Sequence, residues 1–148
     1  MLELEKVDLD MLGSALASQS YDLTWTFDPV RGEPLCWAEG EEEEPDEDAL
    51  VIEPLPSRVW YRDMADFTAR LSDRRIAERL ERAMAGKGAF RRFRAEIYDR
   101  NEHLITAWNA FRNTRTERRA VEWLRDNQQI TEEAADRYLA SHPDPDVP

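Results

Sequence analysis

The chain has 148 residues, 41% of them hydrophobic and with five Trp and five Phe, enough for a core that needs neither disulfide nor metal and too apolar for global disorder. Its 32 acids and 20 bases give a formal charge of −12, which opposes long-range attraction to nucleic acid or anionic membrane, and the lone Cys36 excludes an internal disulfide or a thiolate metal cluster. The charge is segregated: residues 1–60 hold 16 acids and 3 bases, residues 61–148 hold 16 and 17, and the window 74–125 holds 14 bases against 7 acids, so a segregated basic face can still bind phosphates locally.

Met1 to Lys6 alternates leucine with acid and lacks a basic n-region or an apolar h-region, and no apolar run approaches the ~18 residues of a membrane span. Neither a signal peptide nor a span is expected, and a reducing cytoplasm suits the single cysteine. Asp8 to Ser18 reads as a short helix on the spacing of Leu9, Leu12 and Leu16. The period then changes to two: Tyr21, Leu23, Trp25 and Phe27 alternate with Asp22, Thr24, Thr26 and Asp28, predicting a half-buried strand. Asp28-Pro29-Val30-Arg31-Gly32 turns the chain into a second strand over Glu33 to Glu39, with Leu35 and Trp37 on one face and Pro34 marking a sheet edge. The acids at 41–44 and 46–48 predict a solvated, mobile loop over 40–48, because like charges this dense cannot pack. Leu50 to Leu55, closed by Pro54 and Pro56, is a third strand.

From Ser57 the pattern is helical. Ser57 is placed to cap a helix with core stripe Trp60, Met64, Phe67 and Leu71; Ser72 is placed to cap the next, with Ile76, Leu80 and Met84 inward and Gly86 as terminator. Phe90, Phe93 and Ile97 define a third helix. Leu104, Trp108 and Phe111 lead a fourth, which either continues through Val121 and Leu124 or restarts at a Thr114-x-x-Glu117 capping box. Thr131 caps a last helix to Ala140, and residues 143–148 are expected to fray. The fold class is therefore α+β: a small three-stranded antiparallel sheet, preceded by a short helix and packed against a C-terminal bundle of about five helices. Residues 1–142 are expected to form a single domain, with a helix and sheet part at 8–55, a helical part at 57–140, and a common core of Trp25, Trp37, Trp60, Phe67, Phe90, Phe93, Trp108 and Phe111.

The hairpin with Phe27-Asp28 and Gly32-Glu33, the acidic loop, Trp60-Tyr61-x-Asp63-Met64-x-Asp66-Phe67, the Gly86-Lys87-Gly88-Ala89-Phe90-Arg91-Arg92-Phe93 segment, Trp108 with Phe111, and Trp123-Leu124 together resemble a bacterial family of uncharacterised proteins. The resemblance runs from about Tyr21 to Leu124, with Pro34 departing from the pattern where a β-branched or apolar residue is usual. It implies the element order and no particular activity, cofactor or site.

The segment from Gly86 to Arg94 concentrates flexible backbone, a helix start and positive charge, the ingredients of an anion site. Its spacing is too short for a P-loop. Lys87, Arg91, Arg92 and Arg94, joined by Arg112, Arg115, Arg118 and Arg119 on the next helical stretch, are the candidate binding residues for phosphate or nucleic acid, with Tyr98 or Trp123 available to stack bases. The competing reading is an αα-corner whose arginines are solvated or paired with Glu96, Asp99, Glu117, Glu122 or the acidic loop. Asp63 and Asp66 are helical neighbours and are expected to cap, or to pair with Arg62 or Arg70. His103 and His142 have no ligand-spaced partner, and Cys36 is read as a buried or half-buried inert thiol. No catalytic residue, metal site or cofactor is assigned. The expectation is a non-catalytic cytoplasmic interaction or regulatory protein, with an unidentified protein as partner. The alternative is nucleic-acid or phosphate binding by the basic helical face, and an enzyme of unrecognised type ranks third.

Overall fold

The computed structural model describes residues 1–20, 22–38, 40 and 46–148. Tyr21 and the heart of the acidic loop at 41–45 therefore lie outside the described residues, as does the end of the second predicted strand at Glu39. The architecture is α+β. Helix α1 (Leu9–Ala17) precedes strands β1 (Leu23–Asp28), β2 (Glu33–Ala38) and β3 (Leu50–Ile52); helices α2 (Ser57–Arg70), α3 (Arg74–Ala83), α4 (Ala89–Ala95), α5 (Ile105–Asp126) and α6 (Glu132–Ser141) follow. The chain divides into two compact units: Met1–Leu55 with Thr116–Pro143, and Pro56–Arg115 with Asp144–Pro148.

In the first unit β1 is the central strand, antiparallel to β2 and β3 in the order β2-β1-β3. Pro34 thus sits on an edge strand, where proline is tolerated. The hairpin is set by Asp28, whose carboxylate accepts from the amides of Val30 (2.9 Å) and Arg31 (3.1 Å). Register puts Trp25, Phe27, Cys36, Pro34, Leu50 and Ile52 on one face. Phe27 and Ile52 are buried there, with Leu12, Leu16, Val121, Leu124 and Ile130 also in the interior of this unit. Leu35 and Trp37 lie on the opposite face; Trp37 donates to the buried Thr26 hydroxyl at 2.8 Å, while Leu35 is exposed. Cys36, expected to be at least half-buried, is exposed, because it occupies the edge strand opposite the half-buried Trp25. Gly13 lets α1 approach α5: a Cβ built there would stand 2.5 Å from Cγ2 of Thr116.

In the second unit Phe67, Phe93, Trp108 and Phe111 form an edge-to-face cluster, with centroids 4.9 to 5.6 Å apart for the Phe67–Trp108, Phe67–Phe111 and Phe93–Trp108 pairs. Met64, Leu71, Ile76, Leu80, Ile97 and Leu104 complete it. Phe90, read as core, is 45% exposed. The buried residues here are Ala89 and Phe93 of α4 and Ile97 in the turn beyond it, and Phe90, about 100° from Ala89 and about 60° from Phe93 on a helix, stands at the margin of that face. Trp60 is half-buried in this unit, and Trp25 and Trp37 are half-buried in the first.

Three local expectations are corrected. Pro56, not Ser57, is the N-cap of α2 and offers no side-chain acceptor, since the two prolines keep the chain extended up to position 56. Asp73, not Ser72, caps α3, accepting from the amides of Arg75 and Ile76; the carboxylate is the stronger acceptor. The tail at 143–148 is pinned instead of frayed: Asp144 is bonded to Arg70 and Arg115, the Pro148 carbonyl accepts from the Ser72 amide at 2.9 Å, and Val147 packs on the aromatic cluster. Helix α5 runs unbroken through Thr114, so the capping-box restart does not occur.

Candidate functional site

The glycine-flanked segment folds as a corner. Gly86 and Gly88 both adopt left-handed φ, +74° and +79°, and a Cβ on Gly88 would stand 2.9 Å from the Arg92 guanidinium. That guanidinium folds back and donates to the carbonyls of Ala83 (2.9 Å), Ala85 and Lys87. Arg92 is thus the cap for the carbonyls that α3 leaves unsatisfied at its C-terminus. Its charge is used inside the fold.

Arg115 is likewise internal. Its side chain is 14% exposed and bonds Asp63 (3.2 Å), Asp66 (2.6 Å) and, by both its Nε and Nη2, Asp144 (3.1 and 2.9 Å). Asp63 is only 2% exposed. Arg115 therefore bridges the Asp63–Asp66 pair, where Arg62 or Arg70 was expected; Arg70 instead pairs with Asp144 at 2.9 Å. The guanidinium of Arg115 also lies 4.6 Å from the Phe111 ring centroid, a cation–π contact. Burial works against its charge, but the bonds to Asp144, Asp66 and Asp63 prevail and hold its pKa above the ordinary value. Asp144 is pulled down to about 2, chiefly by its bonds from Arg115.

Arg118, in the first unit, donates to the carbonyls of Leu139 (2.7 Å) and His142 (2.8 Å), closing the C-terminus of α6. Arg119 is half-buried in that unit. Tyr138 donates to Glu117 at 3.0 Å and stacks on His142 at 3.8 Å; its pKa is pushed up to about 12, first by burial and then by Glu117. His103 is exposed on the single turn before α5. Among the described residues no three His, Cys, Asp or Glu side chains come together to hold a metal, and no helix is long and apolar enough to cross a membrane.

The remaining candidates, Lys87, Arg91, Arg94 and Arg112, are exposed and all belong to the second unit. Lys87 and Arg91 make no side-chain hydrogen bond or ion pair among the described residues. Phe90, Arg94 and Tyr98, four residues apart along α4 and the turn after it, make a row of rings and a cation on one helix face. Tyr61, 37% exposed, meets Phe90 edge to face at 6.5 Å, its hydroxyl fixed on the Met84 carbonyl at 3.1 Å. Four residues beyond Phe90, the Arg94 guanidinium lies 5.3 Å from the Tyr98 ring centroid. Tyr98 and Arg112 both donate to Asn109, at 3.4 and 3.1 Å. From Phe90 to Tyr98 the row spans about 12 Å, at the ~1.5 Å rise of a helix. Tyr61 and Phe90 were not legible as site residues: Phe90, Phe93 and Ile97 recur at spacings of three and four, the pattern of a core stripe, and Phe90 nonetheless stands 45% exposed.

These features define an α+β protein of two compact units, one of which carries its exposed cations beside exposed aromatic rings. The chain belongs to the uncharacterised protein family UPF0158, whose family model matches residues 33–142. No curated protein and no solved structure matches it.

Proposed function

We propose that this is a non-catalytic cytoplasmic binding protein that engages a macromolecular partner through the ring-and-cation row of its second unit, and that single-stranded nucleic acid is the partner whose chemistry fits that row. The observation that carries the reading is Phe90: a phenylalanine 45% exposed beside Tyr61, Lys87, Arg91 and Arg94. Exposed rings interleaved with cations suit unpaired bases, which stack on the rings while their phosphates meet the cations. A duplex hides its base faces and offers only phosphates. Binding of a basic protein partner is the second reading, supported by the 22 acids against 6 bases of the first unit.

The test is a titration of labelled single- and double-stranded DNA and RNA at about 50 mM salt, a condition in which phosphate contacts are strong. Single strands should bind more tightly than duplex. Phe90→Ala should weaken binding by about tenfold or more at an unchanged salt slope, since each stacked base is worth roughly 1–3 kcal/mol. Arg91→Ala with Arg94→Ala should lower the slope by about 1.4, near 0.7 per lost contact on a single strand. Absence of binding to all four polymers by the folded protein would refute this reading and favour the protein partner.

A further inference from the structure

Strand β3 is an open edge of the sheet. It pairs with β1 alone, and among the described residues its backbone bonds no other segment. Such an edge is a template for another strand, and native chains usually blunt it with lysine or proline. Within Leu50–Ile52 there is neither, and these three residues set the length of what can pair there.

The solvent face beside this edge is apolar. Leu35, Thr26 and Val51 form one row across the three strands. Leu35 is 41% and Val51 62% exposed, while Thr26 between them is buried and accepts from Trp37. The row thus ends at the open edge on an exposed valine, and an apolar residue opposite Val51 would extend it, since opposed side chains on paired strands stand about 4.5–5.5 Å apart.

Charge frames the same edge. Before it, Asp46, Glu47 and Asp48 are exposed on a turn closed by the Ala49 amide donating to the Asp46 carbonyl at 2.9 Å; after it comes the exposed Glu53. Positions 46–53 hold no Lys or Arg, and none of these carboxylates makes an ion pair among the described residues. A second copy of β3 paired here would oppose acid to acid, which is unfavourable. A basic strand would meet opposite charge at both ends.

We infer that the outer edge of β3 docks an extended basic segment of a partner protein, which adds a fourth strand, sets an apolar residue beside Val51 and aims Lys or Arg at the 46–48 turn and at Glu53. In strand addition the backbone bonds supply affinity and alternate side chains supply selectivity. This docking site rests on the second reading above, the basic protein partner. It shares no residue with the Phe90 row and does not depend on nucleic-acid binding.

The probe is a labelled peptide, Lys-Lys-Thr-Val-Thr-Lys-Lys, titrated into the full chain by fluorescence anisotropy at about 50 mM salt, where exposed charges are weakly screened. It should bind saturably below about 1 mM, and the same peptide with Glu for Lys should bind at least about tenfold more weakly. Successive residues of a strand turn their N–H groups to opposite edges. N-methylation of the central Val and of the two Thr should therefore act unequally, one weakening binding about tenfold and the other hardly at all. Val51→Lys, which blunts the edge as native chains do, should weaken binding about tenfold or more, and Asp48→Asn with Glu53→Gln by about threefold. If Val51→Lys does not fold, Glu53→Lys, outside the strand, takes its place. Phe90→Ala should change none of these values. No binding of the Lys peptide at about 1 mM would overturn both the docking site and the reading it rests on. Binding indifferent to the methylation site and to position 51 or 53 would overturn the docking site and leave a basic partner held elsewhere.

Discussion

The two units differ in charge far more than in construction. The first holds 22 acids and 6 bases, the second 14 bases and 10 acids, net −16 against +4. Each buries a set of apolar side chains between packed elements. Yet the second unit is much less basic at its surface than a linear count suggests. The most basic stretch of sequence, 74–125, runs across the boundary at Thr116 and lends the second unit three arginines, Arg118, Arg119 and Arg125, that belong to the first. Of the second unit's own arginines, Arg92 and Arg115 are turned inward onto carbonyls and carboxylates. A charge window measures composition, whereas a binding face is what remains after caps and buried pairs have been filled.

That division can be broken most forcefully at Arg115. Replacing it with Ala should cost about 3–5 kcal/mol, the usual penalty for removing one member of a buried ionic cluster, because Asp63, Asp66 and Asp144 would all lose this cation and Asp63 is almost fully buried. Arg91→Ala, at an exposed site of the same unit, should stay within about 0.5 kcal/mol of the parent. Denaturant midpoints of the two variants check this directly. Equal effects would mean that the sorting of arginines into internal and surface groups is wrong.

A smaller effect probes the first unit. Gly13→Ala ordinarily gains about 1 kcal/mol in a helix, but here the new methyl would meet Cγ2 of Thr116 at 2.5 Å, and a β-branched side chain on a helix cannot easily rotate away. Overpacking costs about 1–3 kcal/mol, so the net should be a loss of up to ~2 kcal/mol. Gly13→Ala in a Thr116→Ser background should recover most of it. A thermal-unfolding comparison of the single and double variants is decisive, and a stabilised single variant would show that α1 does not lie against Thr116.

The sheet, the hairpin, the helix order and the cap at Thr131 were legible from sequence because each rests on local chemistry: a period of two, a turn sequence, an acceptor side chain three residues from an amide. The bridge from Arg115 to Asp63 and Asp66 was not legible. Arg115 lies about fifty positions further on, and nothing local distinguishes it from Arg62 or Arg70. The pinned tail escaped for the same reason, since its proline-rich composition reads as unpaired backbone whereas Asp144, Val147 and Pro148 find their partners far along the chain. Of the candidate site, the cations on α4 were visible as composition. Which of them stay on the surface was decided by Gly88, whose missing Cβ admits the Arg92 guanidinium to the corner.

The smallest effect separates the units by pH. In the second, Asp144 falls from an ordinary 3.8 to about 2, mainly through Arg115. A lowered carboxyl pKa adds stability that is present above the unfolded value, near 4, and is lost as pH falls through about 2. In the first, Tyr138 rises from 10.0 to about 12 through burial and Glu117. A raised phenol pKa adds stability that is present below about 10 and is lost as pH climbs through about 12. The second unit should therefore lose a contribution in acid and the first in base. Asp144→Asn should lower stability at pH 7 and converge on the parent near pH 2, where the parent's carboxyl also protonates. Tyr138→Phe should lower it at pH 7 and converge above pH 12. Urea midpoints across the pH range, followed by amide exchange at Val147 for one unit and Leu139 for the other, would show whether each loss begins in its own unit. A difference between Asp144→Asn and the parent that persists unchanged at pH 2 would mean that the tail is held by Val147 and Pro148 and not by the ionised pair.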